Sequence, residues 1–198
     1  MTAPRYTLAT AAHLDQEIRK SRFTAHALSA ASEEAALEFL RRVADPTATH
    51  NCWAWRIGQR YRFNDDGEPG GTAGKPILQA IDGQDLDQVI VVVTRWFGGI
   101  KLGAGGLMRA YGGCAAECLR QAAKLELVPT LRVEFALEFA QLALLRARLR
   151  GFDADIENED FSGTGVTLRV VMPAQHLDAL RRVLGDLSRG RATLRTLD

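Results

Sequence analysis

The chain has 198 residues, enough for one large domain or two small ones with buried cores. Hydrophobic residues make up 46% and charged residues 25%, a globular composition that excludes a disordered chain. A formal net charge of +1 provides no global pull toward nucleic acid or membrane, so any polyanion binding must come from a local patch.

In chain order, Tyr6 to Ala9 reads as a short strand, and Phe23 to Leu28 alternates like a half-buried strand. Ser32 caps a helix with Glu33 and Glu34 in its first turn. Ala36, Leu37, Leu40 and Val43 form its inner face, and Pro46 follows its end. Thr49 to Ile57 is an aromatic-rich strand, Asn64 to Gly74 a loop dense in turn residues, and Lys75 to Ile81 a short helix. Val89 to Val93 is a buried central strand. From Gly106 the pattern becomes helical, with Leu107, Tyr111, Cys114, Cys118 and Ala122 on one apolar face. Gly112 and Gly113 inside it suggest close packing against a sheet. Pro129 marks a boundary between residues 1–128 and 129–198. Beyond it come strand 131–137, helix 141–149, strand 154–159, strand 167–171, helix 175–187 and strand 192–197. Gly151 stops the first of these helices and residues 162–165 turn the hairpin. This βαββαβ order is ferredoxin-like, and the fold class is α+β.

The N-terminal MTAPRYTLAT lacks an apolar h-region, so no secretory leader is expected, and no long apolar run suggests a membrane helix. Cys52, Cys114 and Cys118 are odd in number and sit in apolar sequence. They read as buried free thiols of a reducing, cytoplasmic setting.

The segment from Thr94 to Gly113 reads as a strand end, a cationic glycine loop and a helix start. Gly98, Gly99, Gly103, Gly105 and Gly106 allow backbone N–H groups to approach an anion, and a helix N-terminus adds partial positive charge. Arg95, Lys101 and Arg109 are the only charged residues between Asp87 and Glu117. Trp96 and Phe97 can stack on a base or pack beneath the loop. These residues mark an anion-binding site, although the same glycines also serve simple chain turning. The segment fails both the G-x-G-x-x-G and the Walker A patterns.

Asp65, Asp66 and Glu68 form a second constellation, suited to Mg²⁺, to acid–base work, to a solvated turn or to a salt link with the basic loop. No cofactor is specified by any motif. His50 and Cys52 share a strand face, as metal ligands, a nucleophile pair or structural groups, the last being favoured. Cys114 and Cys118 suit packing rather than redox chemistry. No G-x-S-x-G elbow is present.

Four segments carry a family resemblance: KSRF (20–23), His50-x-Cys52-x-Ala54, DDGEPGGTAGKPIL (65–78) and VVVTRWFGGIKLGAGGLMRAY (91–111). They resemble the YigZ/IMPACT family, with Trp96 where many members have tyrosine. The resemblance implies a first domain similar to the second domain of ribosomal protein S5, a fold shared with galactokinase- and homoserine-kinase-type enzymes. It implies a second domain similar to the last domain of elongation factor G. By motif it carries over Arg95, Gly98, Gly99, Lys101, Gly103, Gly105, Gly106 and Arg109, faced by Asp65, Asp66, Glu68 and Thr72. Eukaryotic relatives are linked to control of an amino-acid-starvation kinase through a ribosome-associated activator, and carry an extra N-terminal domain not expected here. The functional expectation is a translation-linked regulator or an RNA- or ribosome-associated module binding an anion at the glycine loop, with no membrane partner. The alternatives are an enzyme acting on a phosphorylated or carboxylated small molecule with a divalent metal, and a protein-interaction regulator.

Overall fold

A computed structural model describes residues 5–197, and the chain divides into two units, Met1–Leu127 and Val128–Asp198. In chain order the first unit contains β1 (Arg5–Leu8), β2 (Ala12–Ile18), β3 (Ser21–Ser29), α1 (Glu33–Val43), β4 (His50–Ile57), β5 (Arg60–Asn64), α2 (Gly74–Asp82), β6 (Val89–Trp96), α3 (Ala104–Gln121) and β7 (Lys124–Leu127). A five-stranded antiparallel sheet runs in the order β2-β3-β6-β4-β5. β1 and β7 pair separately as a two-stranded ribbon.

β6 is central because its β-branched run is buried on both faces. On one face, Ala36 and Phe39 of α1 meet Trp53, Trp55, Ile90 and Val92. On the other, α2 and α3 bury Ile77, Tyr111 and Cys114 together with Phe23, Cys52, Val91 and Val93. Strand alternation therefore sends Arg95 to the α2/α3 face and its neighbour Trp96 to the α1 face.

The expected helices form with small shifts. Ser32 accepts the Ala35 N–H, and Glu33 and Glu34 lie in the first turn of α1. α3 begins at Ala104, two residues before the expected start. Gly112 serves helix–helix packing rather than helix–sheet packing: a Cβ there would meet Pro76 of α2 at 3.3 Å, while Gly113 has open space. Three strands had no sequence expectation. β2 and β3 form a hairpin. β5 is an exposed edge strand without a buried residue. β7 finds its partner β1 at the far end of the unit.

The second unit follows the expected order: β8 (Thr130–Glu138), α4 (Phe139–Leu149), β9 (Asp155–Phe161), β10 (Gly165–Pro173), α5 (Leu177–Ser188) and β11 (Leu194–Leu197), with short 3-10 turns after α4 and before α5. Its antiparallel sheet has the order β11-β8-β10-β9. Val133, Phe135, Leu168 and Val170 form a core with Leu145, Leu149, Leu180 and Leu184 from the two helices. The ion pairs Arg169–Glu134 and Arg132–Glu157 lie among exposed residues of the sheet.

Candidate anion-binding site at the start of α3

β4 and the acidic loop are locked together by hydrogen bonds from successive strand residues. His50 Nδ1 is 2.7 Å from the Asp66 carbonyl, the Asn51 N–H donates to Asp66 Oδ2 at 2.6 Å, and Cys52 Sγ donates to the Asp65 carbonyl at 3.0 Å. A carbonyl only accepts, so His50 Nδ1 carries the proton. The Asp65 carboxylate accepts the N–H groups of Gly71, Ala73 and Gly74 at 2.7, 3.0 and 2.8 Å. It thereby caps α2 from eight residues upstream, where negative charge suits the helix dipole. Thr72 donates its hydroxyl to the Pro69 carbonyl at 2.6 Å, closing the turn.

These bonds give the three acidic residues structural partners: Asp65 accepts three backbone N–H groups, Asp66 holds β4, and Glu68 turns inward. Among the described residues no group of three or more His, Cys, Asp or Glu side chains is placed to hold a metal ion. Cys52 is likewise a structural donor. Burial pushes its thiol up to about 12, which leaves almost no thiolate for nucleophilic work near neutrality.

Glu68 anchors a buried polar cluster. Its Oε1 accepts from Arg95 Nη1 at 2.6 Å and from the Tyr111 hydroxyl at 2.8 Å, while His50 Nε2 lies 3.8 Å away. The salt link between acidic and basic loops is thus realised, with both side chains about 95% buried (6% and 4% exposed). The sheet register explains this convergence. Phe23 and His50 are the cross-strand neighbours of Arg95 on either side of β6. The guanidinium lies 5.5 Å from the Phe23 ring and 5.4 Å from the Phe97 ring, a favourable placement for a planar cation. Its Nη2 reaches Ser21 Oγ at 3.4 Å, and its Nε has no partner. Burial pushes the Tyr111 hydroxyl pKa upward, and the neighbouring Cys52 and Glu68 add to the shift.

Arg95 is therefore not one of three unopposed cations, because Glu68 neutralises it. Beside this cluster lies a cavity of about 380 Å³ between β4, the end of β6 and the start of α3. His50, Glu68, Arg95, Lys101, Gly103 and Ala104 are among the residues that line it. Phe97, Leu102 and Leu107 supply apolar wall. No side chain caps α3, so its first N–H groups lack intrahelical partners.

The remaining residues of the glycine segment have separate places. Gly98 presses on the β2–β3 turn: a Cβ would lie 1.8 Å from the Lys20 carbonyl oxygen. Gly99 and Gly103 have φ of +86° and +71°, values that glycine adopts without a steric penalty. Gly105 is in the first turn of α3 and would touch Arg109 Nη1 at 3.6 Å if it carried a Cβ. Gly106 and Arg109 line a second depression, together with Arg19. Trp96 does not face the cavity. It lies on the α1 side of the sheet beneath Arg22, whose guanidinium is 3.7 Å from the ring centroid.

Sequence reasoning missed Arg19, Lys20, Arg22, Ser21 and Tyr111. Arg19 and Lys20 are the two-residue connection of the β2–β3 hairpin, with φ of +48° and +65°. Contact through Gly98 brings that turn to the glycine loop. Arg19, Lys20, Lys101 and Arg109 are all exposed, and none makes an ion pair among the described residues. Phe97, Ile100 and Met108 are exposed on the same loop and helix start at 46%, 39% and 44%. The KSRF segment was the only sequence signal for this second group of cations.

Residues 19–119, from the hairpin turn through α3, match the family model of the Impact N-terminal domain. Residues 135–191 match a domain of unknown function, DUF1949. The chain belongs to the IMPACT family. It is 47% identical over 175 residues to an IMPACT family member in the pol 5′ region of Thermus thermophilus, covering 88% of this chain and 97% of that protein. It is 38% identical over 190 residues to the IMPACT family member YigZ of Escherichia coli (strain K12), covering 92% and 93% respectively. A crystal structure of a hypothetical protein matches at a TM-score of 0.78 and 36% identity, covering 100% of this chain and 99% of that one. The α+β, two-domain architecture expected from the sequence is thus the architecture of the family. Among the described residues no helix is long and apolar enough to cross a membrane.

Proposed function

We propose that the first unit is an RNA-binding module of a translation-linked regulator, holding a single strand across the start of α3. The observation that carries this reading is the grouping of Arg19, Lys20, Lys101 and Arg109, all exposed and without ion-pair partners, beside exposed Phe97, Ile100 and Met108. Positive side chains track phosphates, and an exposed aromatic ring offers a stacking surface tolerant of base identity. A net charge of +1 leaves any attraction for a polyanion to local patches such as this one. The buried Arg95–Glu68 pair holds the loop and contacts no strand.

Fluorescence anisotropy with a labelled single-stranded RNA tests the reading. With these four cations as phosphate contacts, affinity falls with salt at a log–log slope of about −3, and Lys101→Ala or Arg109→Ala each lowers the slope magnitude by about 0.7. Absence of binding at about 50 mM salt, or unchanged affinity in both variants, overturns it.

A further inference from the structure

The two helices of the second unit differ in what they show to solvent. On α5 the exposed residues are Asp178, Arg181, Arg182 and Asp186, all of them charged. α4 buries Leu145 and Leu149 in the core. At about 3.6 residues per turn, its opposite side carries Phe139, Ala140, Ala143, Leu144 and Ala147. All of these are exposed, Phe139 to 47% and Leu144 to 51%. Phe161 of β9, 63% exposed, extends the stripe, its ring stacked on that of Phe139 with centroids 6.3 Å apart. Gln141, Arg146 and Arg148 fall to the sides of the stripe. A helix that is apolar on both sides has the pattern of one covered on both, and only one side of α4 is covered by its own core.

We infer that this stripe joins two copies of the chain, α4 against α4 in antiparallel sense across a two-fold axis at Ala143. The stripe is complementary to itself in that arrangement. Phe139 meets Ala147 of the second copy, Leu144 meets Ala140, and Ala143 meets its own counterpart. Each large side chain thus faces a small one, as an isologous interface requires. Charge agrees with size. Arg150, just past the end of α4, is exposed and makes no ion pair among the described residues. Side chains lean toward the N-terminus of a helix, so Arg150 of one copy reaches the Phe139–Phe161 ring pair of the other, where a guanidinium is favoured. Parallel pairing would instead set Phe139 on Phe139 and the arginines of both copies side by side. The 11 residues of α4 span about 16 Å, and two such faces bury on the order of 1,000 Å² in all, the low end for specific association. The dimer is therefore dependent on concentration. It uses no residue of the cationic surface and does not require RNA.

Sedimentation velocity of the full chain from about 1 to 300 μM tests the inference, with the mass expected to rise from one chain toward two. Ala143→Arg sets like charges together on the axis and is expected to hold the protein at one chain throughout, with an unchanged thermal melt because the position is exposed. Ala147→Phe separates this geometry from a merely adhesive patch. It enlarges the apolar surface, yet it drives ring against ring at Phe139 and is expected to weaken association about tenfold. Adding Phe139→Ala exchanges large for small and is expected to restore it. A single-chain mass at every concentration overturns the inference. So does association that survives Ala143→Arg in a folded variant, or that strengthens in Ala147→Phe.

Discussion

Asp65 and Glu68 stand three residues apart in one acidic loop, and their environments assign them different tasks. Asp65 receives three backbone N–H groups and holds the entry to α2. Asp65→Asn keeps the shape but removes the charge and one acceptor oxygen. A loss of about 2 kcal/mol is expected, as for hydrogen bonds to a charged group, read as a lower urea midpoint at unchanged slope. Glu68 meets Arg95 inside the protein, so Glu68→Gln leaves a buried guanidinium without its counter-charge. A cost of about 3–5 kcal/mol is expected, larger than that of Asp65→Asn in the same denaturation series. Sequence reading found both carboxylates and suggested the salt link among other options. It could not choose, because the choice depends on the β4–β6 register that sets His50 beside Arg95. Nor could it separate Trp96 from Arg95, since adjacent strand residues face opposite layers only once both layers are known to exist.

At the scale of elements, the long apolar periods were legible and the polar strands were not. α1, α3 and β6 carry their burial in their own spacing. β5 buries nothing, and β7 depends wholly on a partner distant in sequence. The paired glycines of α3 show the same limit. Both carry the intrinsic helix penalty, yet only Gly112 has a neighbour that requires it. Gly113→Ala is therefore expected to stabilise the protein by about 1 kcal/mol, the helix propensity difference. Gly112→Ala gains the same propensity but crowds Pro76 at 3.3 Å, so its net effect is smaller or reversed. Thermal melts of the two single variants check the contrast. A rise in Gly112→Ala equal to that in Gly113→Ala would show that α2 and α3 separate freely.

For the whole molecule, protons on buried thiols couple stability to alkaline pH. Burial pushes Cys52 and Cys114 up to about 12 and Cys118 up to about 11, whereas thiols in an unfolded chain titrate near ~8.5. The folded state binds these protons more tightly. Stability is therefore fully present below the unfolded value and is lost as pH rises toward 12, by up to about 1.4 kcal/mol per pH unit for each thiol. Urea midpoints measured from neutral to alkaline pH are expected to be flat at first and then to fall. A flat profile throughout would mean that the thiols are solvated. The two-unit organisation was readable in outline from composition and element order. The union of the β2–β3 turn with the glycine loop was not, because it rests on one absent side chain at position 98. That turn has a further consequence. Asn-Gly is the natural chemistry for a two-residue hairpin connection with positive φ at both positions, yet Arg19 and Lys20 occupy it at +48° and +65°. Left-handed backbone at residues with a Cβ costs roughly 1–2 kcal/mol each. The hairpin thus trades local relaxation for charge, and a sequence selected for stability alone would discharge the surface it supports.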